Sequence, residues 1–422
     1  MINLKRKVIT GIATTAILLN ALAPMVFADT SLTISGNGAD SNNNVEVKTT
    51  QTVTVQQSND ANVHNNVDSN ASSGSNEASS NTGGNVTVDT GNAGSTVNVG
   101  TTVNSNQANV QCNTCGGNAT VTISGNGVDS HNSVDLSNNG GRDNSQGNVN
   151  VVQTNNADVH NNVDSNASTG YNEAERNTGG NVDVSTGNAT SNVTVSTMAN
   201  ANAAIVAGSG SGSTLTADIL GNGVDSRNEI ELDAHHSIMI WQTNEADVHN
   251  NVDSNAKTGG NEAERNTGGN VTVSTGDATA NTTVNNKVNF NSVDADCGCE
   301  MSITAKIAGN GVDSNNTIEA EHLSSTLGIY QGGKDLGNNA DLWNQVGADA
   351  KTGYNEAESN TAAVDPGDPV KVMTGNANSN VTVSNTANEN VVGPSVLPLP
   401  GGANVNFNFD LAAILAFLHI SV

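Results

Sequence analysis

Four aspartates recur at one place in a repeated phrase, and they offer the first chemistry this chain could do. Asp40, Asp129, Asp225 and Asp313 each follow a Gly-Asn-Gly turn sequence, whose central residues Asn37, Asn126, Asn222 and Asn310 lie 89, 96 and 88 residues apart. Carboxylates on turns, beside asparagine and backbone carbonyls, are hard oxygen ligands of the type calcium takes. The spacing matches neither the helix-loop-helix calcium loop nor the Gly-Gly-x-Gly-x-Asp nonapeptide. Asp also hydrogen-bonds turn backbone without a metal, so calcium is the one cofactor the sequence leaves open at this column. A second set, Glu77, Glu173, Glu262 and Glu356, sits in a repeated Asn-Glu-Ala phrase.

His64, His160 and His249 share the position Ala-x-Val-His-Asn-Asn-Val-Asp-Ser-Asn-Ala, where the fourth unit has Trp343. Stacked in register they could offer imidazoles to a transition metal. Alternation puts them instead on the outward, wholly polar side of a strand, which favours a solvated column. Cysteines occur as Cys112-x-x-Cys115 and Cys297-x-Cys299. The even count in an exported chain points to disulfides, within or between the pairs, with connectivity open. The rival four-Cys zinc site suffers from the Cys-x-Cys spacing and the distance between the pairs. No nucleophile motif such as Gly-x-Ser-x-Gly appears, and the carboxylates repeat rather than converge, so no catalytic residue is assigned and no enzyme is expected.

The elements positioning these residues are read from the same repetition. Ala157, Val159, Asn161, Val163, Ser165 and Ala167 share one parity and would face one side of a strand, with Asp158, His160, Asn162, Asp164 and Asn166 on the other. Gly, Asn, Thr and Val are poor helix formers, and no 3.6-residue stripe appears before the C-terminus. Short strands, glycine corners and inward amides predict an all-β solenoid with stacked asparagine ladders. Thr169-Gly170, Thr178-Gly179 and Thr186-Gly187 are 9 and 8 residues apart. With sides of that length, each unit is expected to hold about three to four coils, as the echo between Asn126–Ser130 and Asn161–Ser165 also suggests. A string of small β-sandwich domains, one per unit, is the alternative.

The expected divisions are a signal peptide (1–28), repeat units at 29–119, 120–215 and 216–301, a degenerate capping unit at 302–392, and a Pro/Gly linker with an apolar segment at 393–422. The leader rests on Lys5-Arg6-Lys7, the apolar stretch Val8 to Leu22, and Val26-Phe27-Ala28 before the cut. It implies secretion to the cell surface or beyond, and no integral membrane segment once removed. In the tail, Asn404 to Phe409 alternates as a strand, and Asp410 would cap an apolar helix from Leu411 to about Ile420. A net charge of −27 excludes nucleic acid as the expected partner.

The alternating, Asn-rich, Thr-Gly-punctuated repeats between Leu32 and Asn385 resemble exported bacterial surface proteins of the adhesin, surface-layer or fibre kind. That resemblance implies a non-catalytic structural or adhesive role, with self-association, other surface components or glycans as partners. Rival expectations are a polysaccharide-binding or polysaccharide-cleaving β-helix and an ice-binding solenoid. The last would use Thr rows such as Thr272, Thr275 and Thr282-Thr283, but lacks a regular Thr-x-Thr face.

Overall fold

In the computed structural model the described residues are 7–15, 21–22, 30–49, 52–111, 119–139, 149–208, 214–297, 302–332, 337–361 and 370–393. All regular structure among them is β. Two strands precede the repeats: β1 (Lys7–Thr15) and β2 (Ala21–Leu22). The first coil contains β3 (Thr30–Ser35), β4 (Asn42–Thr49), β5 (Val53–Gly74), β6 (Glu77–Ser79), β7 (Val86–Thr90) and β8 (Ala93–Gln111). The second contains β9 (Ala119–Ser124), β10 (His131–Asn139), β11 (Val149–Gly170), β12 (Glu173–Glu175), β13 (Val182–Thr186) and β14 (Ala189–Gly208). The third contains β15 (Thr214–Leu220), β16 (Arg227–Gly259), β17 (Glu262–Glu264), β18 (Val271–Ser274) and β19 (Ala278–Cys297). The fourth contains β20 (Ser302–Ala308), β21 (Asn315–Gln331), β22 (Asn338–Gly353), β23 (Glu356–Glu358), β24 (Lys371–Met373) and β25 (Ala377–Val392).

Every repeat strand pairs in parallel with its counterpart one unit away, so the chain is a β-solenoid. Asn161, for example, lies between Asn65 and Asn250. One unit is therefore one coil, and the expectation of three to four coils per unit is wrong. So is the β-sandwich alternative, since each unit's sheets are completed by its neighbours. The cause of the error is visible in the topology. The corners at Thr169, Thr178 and Thr186 do not bound three sides of a small coil; they crowd into one tip, around β12 and β13. Likewise Asn126–Ser130 turns the chain at the opposite tip, while Asn161–Ser165 lies within β11.

Each coil is a flattened racetrack. One long layer runs through β4 and β5, a path that becomes the single 33-residue strand β16 in the third coil. The facing layer holds β8 and the β3-type strand of the next coil. Val53 and Val55 pack against Ala108 and Val110, Ala61 and Val63 against Val103, and Val67 against Val97 and Val99. At about 3.3 Å per residue β16 follows a path of about 110 Å, whereas four coils spaced about 4.8 Å apart make a stack only about 20 Å thick.

The six residues predicted to face inward from β11 are all buried, Asn161 and Ser165 among them. Their amides bond along and across the coils. Asn59 donates to Asn106 at 2.8 Å and to Asn155 at 3.1 Å, Asn106 to Asn155 at 2.8 Å, and Asn155 to Asn202 at 2.8 Å and Asn244 at 3.0 Å. This network lets a core with few large side chains bury polar groups without leaving them unpaired. One irregularity also stacks. Asn104, Asn200, Asn289 and Asn388 all adopt positive φ near 60° inside the long strands, and each flips the inward parity of its strand. In β14 the buried positions pass from Val195, Thr197 and Ala199 to Asn202, Ala204 and Val206. Asparagine tolerates this left-handed conformation better than most residues.

Cys112, Cys115 and Cys299 and the apolar helix expected from Leu411 lie outside the described residues. Cys297 ends β19, and its side chain is likewise outside the description.

Candidate functional surfaces

The aspartate column forms at the Gly-Asn-Gly tip. Asp40, Asp129, Asp225 and Asp313 have φ of 56°, 54°, 61° and 58°, and all are exposed. Each of the first three donates its backbone N–H to the next coil, to the carbonyls of Val128, Val224 and Val312 at 2.8, 2.9 and 3.0 Å. Beneath them Asn37, Asn126, Asn222 and Asn310 form an amide ladder with steps of 2.8, 2.8 and 2.7 Å. A left-handed turn residue that must project outward accounts for aspartate here. Among the described residues no group of three or more His, Cys, Asp or Glu side chains is placed to hold a metal ion. The tip supplies one carboxylate per coil and no convergence, so geometry adds nothing to the calcium expectation.

The histidines do stack. Ring centroids of His64 and His160 are 4.8 Å apart, those of His160 and His249 4.9 Å, and Trp343 tilts over His249 at 5.6 Å. Two of the rings also meet an acid two residues earlier on their own outward face, with His160 Nε2 2.8 Å from Asp158 Oδ1 and His249 Nε2 2.8 Å from Asp247 Oδ1, whereas His64 has Asn62 at that position. These contacts have ion-pair distance without hydrogen-bond alignment. Stacked imidazoles point their nitrogens alongside one another, which makes a surface column rather than a converging ligand set.

The Asn-Glu-Ala strands carry two carboxylate columns at the opposite tip: Glu77, Glu173, Glu262 and Glu356, and beside them Glu175, Glu264 and Glu358. Arg265 reaches across a coil boundary to Glu175 at 3.0 Å and also meets Glu264 at 3.3 Å, while Arg176 meets Glu175 at 2.7 Å. Among the described residues the column of Glu77, Glu173, Glu262 and Glu356 has no such ion pair. Glu173 is pushed above the ordinary carboxyl value by desolvation, then by Glu175, Glu77 and Glu262. Glu356 is pushed up by its hydrogen bond to Glu358, then by the charge of Glu358, by desolvation, and by the charges of Glu262 and Glu264. Folded values above the unfolded value near 4.5 mean that these groups favour the folded state fully below that pH. That contribution is lost as pH rises through the folded values. The melting temperature should therefore rise as pH falls from 7 toward 4.5, and the double substitution E173Q/E356Q should flatten this dependence. An unchanged pH profile in the variant would contradict the assignment.

One cleft breaks the repetition. Ser75, Tyr171, Gly260 and Tyr354 occupy one coil position at the end of the long layer, all with positive φ. The third coil has no side chain there, and the Tyr171 ring leans over Gly260, its Cδ1 and Cε1 3.0 and 3.1 Å from where a Cβ would stand, with Tyr354 on the far side of the cleft. Lys257 and Lys351, paired in register, line the same cleft of about 460 Å³. Tyr171 and Tyr354 are 61% and 88% exposed, and Lys351 pairs with Asp349. In the sequence these tyrosines stand 183 residues apart, and only their shared place directly after a Thr-Gly, Thr169-Gly170 and Thr352-Gly353, marks them as one coil position. Comparison of the chain with protein families, with curated proteins and with solved structures finds no match in any of the three.

Proposed function

We propose that this chain is a secreted, non-catalytic structural or adhesive protein of the bacterial cell surface or extracellular matrix. The observation that carries the reading is the strict register of the coils. Asp stacks on Asp, His on His and Glu on Glu, so reactive groups form columns instead of a site where unlike groups meet a reacting atom. Repetition of this kind builds a surface and a rigid body. The strongly acidic, polar exterior suits an exported scaffold that stays soluble until it assembles.

A second reading, glycan binding, is favoured by the Tyr171–Tyr354 cleft. Two exposed aromatic rings lining one cleft can take a sugar ring through its apolar faces. Lys257 supplies a cation on an otherwise acidic molecule, which would select an acidic saccharide. One experiment addresses both readings: incubation of the full chain with a panel of neutral and acidic glycans, following both product release and retention. The structural reading expects no cleavage, and cleavage would overturn it. Glycan binding expects retention of acidic members that Tyr354→Ala abolishes; equal retention by the variant would remove the cleft from consideration.

A further inference from the structure

The two ends of the coil stack are unlike, and they complement each other. At the fourth coil the interior is open to solvent. Ile318 is 50% exposed where its counterpart Ile230 is fully buried, and Val383 and Val392 are 43% and 49% exposed where Val284 and Val293 are fully buried. Among the described residues the outer edge of this coil is also a row of strands without a neighbour on one side. An apolar cross-section bounded by open β-edges is a strong template for further strand pairing.

The buried amides give that template a direction. In the inward asparagine columns the Nδ2 of each coil donates to the Oδ1 of the next: Asn65 to Asn161 to Asn250 to Asn344, each at 2.7 Å, and Asn76 to Asn172 to Asn261 to Asn355 at 3.2, 3.0 and 3.1 Å. Asn81 to Asn177 to Asn266 to Asn360 and Asn104 to Asn200 to Asn289 to Asn388 run the same way. The fourth coil ends these ladders in donors and the first begins them in acceptors. Asn355 Nδ2 is buried with no partner at all, an arrangement that a hydrogen-bond acceptor from a further coil would relieve. The inward glutamine column runs in reverse, from Gln331 to Gln242 to Gln153 to Gln57. For either polarity, first coil against fourth matches donor to acceptor, whereas two like ends would oppose donor to donor or acceptor to acceptor.

Building on the structural reading above, we propose that the fourth coil of one copy stacks on the first coil of a second copy, head to tail and in register, to form a filament. Asn355 would then meet Asn76 of the next copy, and Asn344 would meet Asn65. Parallel strand pairing, the only kind between coils among the described residues, would continue unbroken through the joint. Such a heterologous contact does not close on itself and grows along the stacking axis. The first coil of a second copy carries the Gly-Asn-Gly, Ala-x-Val-His and Asn-Glu-Ala phrases that make the ladders, none of which occurs in the sequence 394–422. The receiving edge is partly taken in the chain itself. β1 pairs with β8 from Ser95 to Val103, the stretch that Ser379–Ala387 of the incoming copy must occupy by the register of β8, β14, β19 and β25. Removal of the leader would free it.

The test uses the full chain with a protease site inserted between Ala28 and Asp29, folded first and cut afterwards, in salt sufficient to screen its net charge. Sedimentation and electron microscopy should show single particles before the cut and unbranched filaments after it, with a meridional repeat of about 4.8 Å. Val383→Lys, whose ammonium can reach water at the open end, should remain single after cutting and should cap filaments when mixed with the parent chain. Val392→Lys serves as a second blocker, and circular dichroism with thermal melting verifies that each variant is folded. Cut protein that stays single, or that forms only two-fold dimers, would overturn head-to-tail assembly. The structural reading is tested separately by the glycan panel and fails only if cleavage occurs.

Discussion

Gly259→Ala should disrupt the stack more than any other single methyl addition. At Gly259 φ is 111°, and a Cβ would sit on the Gly353 carbonyl oxygen and 2.9 Å from the Gly353 nitrogen and carbonyl carbon. Gly170 has the same relation to Gly259, with φ of 116°. Neither obstacle can move, because both are backbone atoms of the next coil held by parallel pairing. Strain at such a φ costs on the order of 1–3 kcal/mol, and overpacking against fixed atoms costs a further 1–3 kcal/mol or so. A loss of about 3 kcal/mol or more is the expected result in denaturant unfolding. It should appear together with lost protection of β16 and β22 amides in hydrogen exchange. A variant as stable as the parent would mean that the coils are not stacked in this register.

The second large effect separates two adjacent residues of the same type. Asn161 is buried, donates to Asn250 at 2.7 Å and Thr197 at 3.3 Å, and accepts from Asn65 at 2.7 Å. Asn162 is exposed and bonds along the surface, to Asn66 and from Asn251, both at 2.8 Å. Asn161→Ala leaves the Asn65 amide and the Asn250 carbonyl without their ladder partner inside the core. The expected cost is about 2–3 kcal/mol. Asn162→Ala breaks bonds that water replaces, and should change stability by less than about 0.5 kcal/mol. Equal effects from the two substitutions would show that alternation does not set the core of this strand.

That contrast marks how much of the molecule alternation makes legible. In a strand, parity alone decides which side chains meet the interior, so the inward set from Ala157 to Ala167 follows from the order of residues. The outward histidines follow from the same rule. Their stacking at 4.8 Å also needs the register between units, which near-identical phrases supply. The Tyr171–Tyr354 cleft depends on something less visible. Its lining comes from the absence of a side chain at Gly260, and no pattern within one unit announces a cleft between two others.

Coil size was not legible, for a definite physical reason. Turn residues declare where the chain can bend, but not how far the bend carries it or which bends belong to one tip. The corners at Thr169, Thr178 and Thr186 suggest equal sides, yet the long strands run straight past several polar positions that local chemistry would let turn. Only pairing between whole layers, with Val53 and Val55 against Ala108 and Val110, keeps those strands extended. The bulge at Asn104, Asn200, Asn289 and Asn388 is similar, since an asparagine within a strand does not reveal whether it adopts positive φ.

The sequence by itself determined the β class, the fourfold repetition and the inward amides, because period-two alternation and near-identical phrases are local properties of the chain. The tertiary structure alone decided that one unit makes one coil, that every ladder has a direction, and that the stack ends in unlike faces. Those are relations between units, set by how two long layers close on each other and by which coil each amide donates to.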